Sequence, residues 1–155
     1  FSKFVGADGM RDKVLFKLGA DALKDKLLII SPTSPKNNAR ASFEKAAKAD
    51  GNDPNGPFVA QGYDAAMMIA LAIQKAGSTD RKMISAALRD ISSAPGVEIG
   101  PGDWKKAVDA LSSGKSINYT GASGPHDFDS AGDVGGVYAD FVIKGDTFSE
   151  NEILK

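Results

Sequence analysis

Residues 58–76 form the most apolar stretch of the sequence, and they restrict what the chain can fold into. Pro57 stands where a first helical residue is favoured, and Gly77 follows the stretch as a helix-ending residue does. The spacing predicts one long helix that is apolar on nearly all sides, and such a helix must be buried in a sizeable core. Its longest uninterrupted apolar run, residues 65–73, is far shorter than the roughly 20 residues of a membrane span.

Weaker patterns predict the remaining elements. Helical spacing indicates helices at residues 10–18, 38–49, 81–91 and 104–111, the last capped by Asp103, and apolar runs indicate strands at residues 27–30 and 137–143. Ser31 to Pro35 is expected to form an extended connector. The count is at least four helices but only two or three strands, which is typical of the α/β class. Helices this apolar need more sheet than the chain supplies, so we expect part of a longer polypeptide.

Composition excludes several functional classes. Of the 155 residues, 42% are hydrophobic and 25% are charged, which is typical of a globular protein. The net charge of −1, with Lys and Arg spread along the chain, argues against a nucleic-acid partner. Cysteine is absent, which excludes disulfides and cysteine-based zinc sites. We expect no cofactor and no bound metal.

Three motifs are read as turns. His126 is the only histidine, and because no Gly-x-Ser-x-Gly motif accompanies it, we expect a solvent-exposed turn residue. Residues 127–133 resemble a calcium loop, but Ala131 and Tyr138 occupy positions that need oxygen ligands. Residues 100–102 lack the third glycine and the preceding strand of a dinucleotide site.

Asp8 carries two interpretations that the residues alone leave open. It follows the apolar segment Phe4–Gly6 and precedes Gly9. It can cap the helix predicted at residues 10–18, or it can stand at a strand's carboxyl end, where open α/β sheets bind their ligands. A carboxylate there pairs naturally with an ammonium group. Asp64 offers a second acid, but we read it as equally consistent with a surface residue that compensates the helix dipole.

Several segments in order resemble the C-terminal part of periplasmic substrate-binding proteins of the branched-chain amino acid type, which serve ABC importers. The matching segments cover nearly all of the chain and are Phe4-Val5-Gly6-Ala7-Asp8-Gly9, Ser34-Pro35-Lys36-Asn37, Gly56-Pro57-Phe58-Val59 leading to Tyr63-Asp64-Ala65-Ala66, and Gly121-Ala122-Ser123-Gly124 through Phe128-Asp129 to Gly132-Asp133. No single segment is specific, but the ordered set is.

The resemblance implies a type I periplasmic binding protein fold of two doubly wound α/β lobes, incomplete in this chain. Residues 1–33 would belong to lobe 2, residues 34–136 would complete lobe 1, and residues 137–155 would return to lobe 2. The family's strand-end acid, which receives the ligand's α-ammonium group, falls on Asp8, one methylene shorter than the Glu alternative. The aromatic that lines the side-chain pocket falls on Phe58, and a further aromatic near the cleft falls on Tyr63.

The expected function is the extracytoplasmic, periplasmic solute-binding component of an ABC importer, with an amino acid as ligand and a membrane permease as partner. The chain is not expected to be an enzyme. Two alternatives stay open: a sensor for amides or aromatic acids on the same scaffold, and a small enzyme that uses Asp8 and Asp64 as acid and base. Since the sheet is expected to be incomplete, the fragment is also expected to self-associate.

Overall fold

The computed structural model of the chain describes residues 2–154, so Phe1 and Lys155 lie outside the described residues. The strands are β1 (Phe4–Gly6), β2 (Leu27–Thr33), β3 (Val97–Ile99), β4 (Ile117–Gly121), β5 (Gly124–Pro125), β6 (Val137–Lys144) and β7 (Thr147–Leu154). The α-helices are α1 (Val14–Lys17), α2 (Asn38–Ala49), α3 (Val59–Ala76), α4 (Arg81–Asp90) and α5 (Trp104–Ser112), with 3-10 turns at Asp8–Met10 and Ala20–Ala22. Of the described residues, 2–33 and 136–154 form one compact unit, and residues 34–135 form a second.

The first unit is one mixed sheet with strand order β1-β2-β6-β7. β1 runs parallel to β2, and the other two pairs are antiparallel. One side of the sheet carries a buried apolar core, formed by Leu27, Ile29, Ala139, Phe141 and Ile143 and covered by Leu15, Phe16, Leu23 and Phe148. On the other side, Val5, Ile30 and Tyr138 remain exposed. The period-2 alternation of a strand therefore separates a covered face from an open one.

β2 is longer than the sequence predicts. The strand was expected to end at Ile30, but it continues through Ser31 and Pro32 to Thr33. Proline donates no ladder hydrogen bond, so it is tolerated where a strand has a partner on one side only. That condition holds here, because β1 pairs with β2 only as far as Ile29 while β6 pairs as far as Thr33.

The second unit packs helices on a three-stranded sheet with order β3-β4-β5. β3 and β4 are parallel, and β5 returns antiparallel to β4. The main core combines residues from α3, α5, β3 and β4, together with the residue that follows α4: Met68, Leu71, Ile91, Ile99, Ala107, Ala110, Ile117 and Tyr119. α2 packs separately, with Phe43 against Ala60 and Ala122.

α3 is less buried than its composition predicts. Its buried residues are Ala60, Asp64, Met68, Leu71 and Ala72, which recur at helical spacing. Ile69 on another side of the helix is 50% exposed. The expectation of burial nearly all round is therefore wrong in this unit, where α3 buries a single face.

Four strands were not predicted, so the expected count of two or three is too low. No strand was predicted at β3, β4 or β5, because each has five residues or fewer and glycine nearby. No strand was predicted beyond residue 143, but β7 pairs with β6 through a turn at Gly145, whose φ of 58° suits glycine. The helix expected at residues 10–18 shrinks to the four residues of α1. Among residues 2–154, no helix combines the length and apolarity needed to cross a membrane.

Candidate functional site

Asp8 stands directly beyond the carboxyl end of β1. It opens the 3-10 turn Asp8–Met10, is partly buried, and accepts one hydrogen bond at Oδ1 from the Gly9 amide, at 2.9 Å. The turn is anchored on both sides. Met10 packs so closely on Gly6 that a Cβ there would lie 2.5 Å from its Sδ, and the Arg11 guanidinium lies 3.9 Å from the centre of the Phe141 ring. The turn that carries the carboxylate is thus anchored, and within residues 2–154 the one hydrogen bond on Asp8 leaves its carboxylate with further acceptor capacity.

The capping interpretation of Asp8 is wrong. α1 begins at Val14, and it is Asp12 that accepts the hydrogen bond from the Val14 amide, at 2.8 Å. Asp8 is too far upstream because the expected first turn of the helix is a separate 3-10 turn. Local helix capping therefore does not account for Asp8.

Phe58 lies immediately before α3 in an unusual backbone conformation. Its φ of 59° and ψ of 6° are left-handed, a region that a bulky residue adopts only when its surroundings impose it. Its carbonyl accepts the amide of Gly62 at 2.8 Å, and its side chain is 49% exposed. Such strain is typical of functional sites, and here it holds an aromatic ring at the surface of the second unit.

Tyr63 lies one turn into α3 and packs on α2. Its ring centre is 5.0 Å from that of Phe43, a tilted aromatic pair, and the side chain is half-buried. Through this packing, Tyr63 links α3 to α2 within the second unit. Phe58 and Tyr63 thus share one helix start, whereas Asp8 belongs to the first unit.

Asp64 is not the surface acid that the sequence left open as an interpretation. The residue is fully buried, and its carboxylate accepts four hydrogen bonds. Tyr119 Oη donates at 2.8 Å, the amides of Ala122 and Ser123 at 2.8 and 2.6 Å, and Ser123 Oγ at 2.5 Å. A Cβ at Gly121 would collide with the carboxylate, so glycine is required there. Asp64 is neither a surface acid nor a free one.

A signal for this role was present in the sequence. Asp64 is the only charged residue between Phe58 and Lys75, on a helix that is otherwise apolar or neutral. A lone charge in such a helix needs buried donors. The Gly121–Ser123 segment supplies two of them from its backbone, and Tyr119 supplies a third from within β4.

His126 is not the exposed turn residue that was expected. Its side chain is only 15% exposed, Nε2 lies 3.8 Å from Asp64 Oδ2 and 3.5 Å from Ser123 Oγ, and Nδ1 is buried. Burial and the neighbouring Asp64 carboxylate raise the pKa of Tyr119 above its ordinary value. Asp64, Ser123 and His126 together resemble a hydrolase triad in composition. However, the Ser123 hydroxyl donates its hydrogen bond to Asp64, so His126 is not placed to act as the base for this serine.

The segment that resembles a calcium loop is a turn. Asp129 Oδ1 accepts the amides of Ala131, Gly132 and Asp133 at 2.8 to 2.9 Å, and these bonds lower its pKa. Within residues 2–154, no group of three or more His, Cys, Asp or Glu residues could hold a metal ion.

A separate cavity of about 430 Å³ lies in the second unit at the carboxyl ends of β3 and β4. Its lining is mostly polar and includes Asn37 and Asn38 at the start of α2 and Thr120 of β4. Open α/β sheets commonly bind ligands at this edge. Phe58 and Tyr63 do not line this cavity.

Comparison with known proteins identifies the family. Residues 2–143 match the family described as the receptor family ligand binding region. The chemotactic signal transduction system substrate-binding protein BasB of Halobacterium salinarum is 28% identical over 144 residues, which cover 83% of this chain and 35% of that protein. The leucine-, isoleucine-, valine-, threonine- and alanine-binding protein of Pseudomonas aeruginosa is 30% identical over 88 residues, covering 57% and 24%.

A solved structure confirms the expected fold class. The leucine-binding protein LivK of Thermotoga maritima superposes with a TM-score of 0.66 at 24% identity, covering 97% of this chain and 36% of that one. The chain therefore spans about a third or less of the length of these relatives. The relatives are named as binding proteins. This chain belongs to the receptor family ligand binding region and adopts part of the type I periplasmic binding protein fold.

Proposed function

We propose that this chain is part of an extracytoplasmic receptor that binds an amino acid of the branched-chain type between two lobes and delivers it to the permease of an ABC importer. The observation that carries the proposal is the Asp8 carboxylate, fixed beyond the carboxyl end of β1 and engaged by one hydrogen bond. Binding would bias an equilibrium between open and closed lobes, without chemistry on the ligand.

Asp8 would receive the ligand's α-ammonium group. An exposed ion pair contributes about 0–1 kcal/mol, but a pair shielded from water and hydrogen-bonded contributes more, and breaking it costs about 3–5 kcal/mol. Gly9 follows the acid with open space beside its backbone, which allows close approach of a ligand, whereas the space beside Gly6 is filled by Met10. The anchored turn limits the entropy lost when the ligand binds.

The two compact units would belong to two lobes. Residues 1–33 and 137–155 would lie in lobe 2, and residues 34–136 in lobe 1. Phe58 would line the pocket for the ligand's apolar side chain, since its ring is half-exposed and its backbone is held in a strained conformation. Tyr63 would support that wall through its packing on Phe43.

The names of two relatives support an amino acid ligand. The Pseudomonas protein is named for leucine, isoleucine, valine, threonine and alanine, and the Thermotoga protein for leucine. A periplasmic location and a membrane permease as partner follow from the same proposal. The net charge of −1 argues against a nucleic-acid partner.

A sensor is the second candidate function. The observation that favours it is the similarity to BasB, which is named as part of a chemotactic signal transduction system. In this version the same ligand site feeds a signalling protein rather than a permease. An enzyme with Asp8 and Asp64 as acid and base is disfavoured, because the four hydrogen bonds on Asp64 leave no proton-transfer role open to it.

The proposal is tested by calorimetric titration of leucine into the complete gene product that carries this chain. Asp8→Asn removes the negative charge, and we expect leucine affinity to fall by about 100-fold or more, as for a buried pair that loses one partner. Asp21→Asn is the matched control, because Asp21 is an exposed acid of the same unit, and its affinity should be unchanged.

Two results would contradict the proposal. Equal affinity in Asp8→Asn and Asp21→Asn would remove Asp8 from the site, and any chemical turnover of the amino acid would remove the receptor assignment. Uptake of labelled leucine by cells with and without the gene separates the importer from the sensor. If the protein serves an importer, cells that lack the gene lose leucine uptake. If it is a sensor, these cells lose the response to leucine and keep its uptake.

A further inference from the structure

Arg40 occupies a position that helix electrostatics disfavours. It is the third residue of α2, where the positive end of the helix dipole opposes a cation. Its side chain is nevertheless only 14% exposed. A cation that is largely withdrawn from water and placed against the dipole needs compensating contacts, and those contacts indicate what Arg40 does.

The guanidinium joins α2 to the loop that precedes α3. Nη2 donates to the carbonyl of Pro54 at 2.9 Å and to Oδ1 of Asn55 at 3.2 Å, and Nη1 reaches Ser34 Oγ at 3.5 Å. Pro54 itself is buried, so its carbonyl depends on a protein donor. The planar guanidinium can serve these acceptors at once, which a lysine ammonium cannot do in the same geometry.

The helix side of Arg40 is fixed as well. Nε donates to Glu44 Oε1 at 2.7 Å, one turn along α2, and this hydrogen bond lowers the pKa of Glu44. The guanidinium carbon also lies 5.5 Å from the centre of the Phe43 ring, whose other neighbour is Tyr63. Arg40 is therefore held by α2 and by the aromatic pair that links α2 to α3.

The loop that Arg40 holds ends at Phe58. Between Asn55 and Phe58 there are only Gly56 and Pro57, and Phe58 then adopts its left-handed conformation. Strained backbone persists only where the surroundings over-determine it. On the helix side the Gly62 amide donates to the Phe58 carbonyl. On the loop side Arg40 binds Pro54 and Asn55, in addition to two local hydrogen bonds, from the Asn55 amide to Asp53 Oδ1 and from the Val59 amide to the Gly56 carbonyl.

We propose that Arg40 is a positioning residue for ligand specificity: it holds residues 54–58 so that the Phe58 ring faces the ligand's apolar side chain, without touching the ligand itself. This inference rests on the proposed function. It assigns part of the selectivity for a large apolar side chain to a buried arginine outside the ligand pocket.

The test is a double-mutant cycle in the complete gene product, with leucine as the probe. We expect Arg40→Gln to weaken leucine binding about tenfold, equivalent to about 1.4 kcal/mol. In a Phe58→Ala background the same change should have less than a twofold effect, because the ring that Arg40 positions is gone. Lys45→Ala, an exposed cation of the same helix, is the control and should leave affinity unchanged.

A purely structural role gives a different pattern. In that case Arg40→Gln would lower leucine affinity equally with and without Phe58, and this additivity would overturn the proposal. Arg40→Lys serves as a second variant that keeps the positive charge and loses the planar guanidinium with its several donors. It should behave like Arg40→Gln, and full leucine affinity in both variants would likewise overturn the proposal.

Hydrogen exchange in the absence of ligand separates this inference from the proposed function. Peptides that span residues 50–58 should exchange faster in Arg40→Gln than in Lys45→Ala, whether or not the wild-type protein binds leucine. If the wild-type protein fails to bind leucine while Arg40→Gln still accelerates exchange in residues 50–58, the amino acid ligand is refuted and the positioning of the loop is supported. Unchanged exchange refutes the positioning itself.

Discussion

Tyr119→Phe measures what the buried cluster around Asp64 contributes to stability. The substitution keeps the ring, which is fully buried in the core of the second unit, and removes only the hydroxyl that donates to Asp64 Oδ1 at 2.8 Å. The carboxylate keeps its other three hydrogen bonds, from Ala122 and Ser123, so the cluster is weakened without being left unpaired.

The magnitude follows from the charge of the acceptor. A hydrogen bond to a charged group contributes about 1.5–3 kcal/mol, compared with about 1 kcal/mol between neutral groups. At about 2–4 °C per kcal/mol for a chain of this size, Tyr119→Phe should lower Tm by roughly 3–12 °C. Urea unfolding followed by circular dichroism at pH 7 gives the free energy, and the m-value should stay unchanged.

Tyr138→Phe is the matched control. Its side chain is 47% exposed in the first unit, so the free energy of unfolding should change by less than about 0.5 kcal/mol. In an Asp64→Asn background, the effect of Tyr119→Phe should shrink, because the charge that strengthens the bond is absent. A Tyr119→Phe protein as stable as Tyr138→Phe would refute the reasoning that the buried carboxylate stabilises this unit.

Two further predictions concern pH and association. The pKa of Glu44 is lowered below its ordinary value of 4.5, chiefly by the hydrogen bond from Arg40, so its contribution is present above about pH 4.5 and is lost as pH falls. Glu44→Gln should therefore be less stable than wild type at pH 7, and in urea titrations the deficit should shrink as pH falls below 4.5; a deficit that does not change with pH would contradict this assignment. The open face of the first unit's sheet, where Ile30 is 40% exposed, should make the chain self-associate. Light scattering should give a mass above that of the monomer for the wild-type chain, and a monomer for Ile30→Lys. Met83→Lys, a change at an exposed residue of the second unit, is the control and should associate like the wild type. A monomeric wild-type chain would contradict the prediction.

The helices α2 to α5 could be predicted from the sequence to within one residue because their signals are local, whereas the expected helix at residues 10–18 forms only as the four residues of α1. The bounds of α2 match the expectation, since Asn37 caps it and accepts the Arg40 amide as an N-cap does. α4 likewise begins after Asp80, which accepts the amides of Lys82 and Met83. Such capping patterns are read from three or four neighbouring residues, so they need no knowledge of tertiary contacts.

The short strands could not be predicted in the same way. β3 has three residues and finds its partner β4 about 20 positions later, so neither segment carries enough alternation to be recognised alone. Asp103 shows the same limit in a helix. It stands at the N-cap of α5, yet its carboxylate accepts the Gly100 amide rather than an amide of the helix. In both cases a tertiary or loop contact overrides the local pattern.

The residues of the candidate site also differ in whether the sequence alone could identify them. The resemblance and the strand-end position indicated Asp8, and the structure leaves that acid with acceptor capacity to spare. The left-handed backbone of Phe58 and the contacts of Arg40 depend on where the loop at residues 50–58 runs, which no periodicity encodes. The burial of Asp64 depends on a segment nearly 60 residues away.

That separation has a consequence during synthesis. Asp64 is made 55 to 59 residues before the groups that hydrogen-bond it, an interval of roughly 3–12 s at about 5–20 residues per second. Until then α3 is an apolar segment whose only charge between Phe58 and Lys75 is this carboxylate. The same group that later ties the helix into its unit is, on the nascent chain, the one that keeps the segment hydrated and discourages premature aggregation.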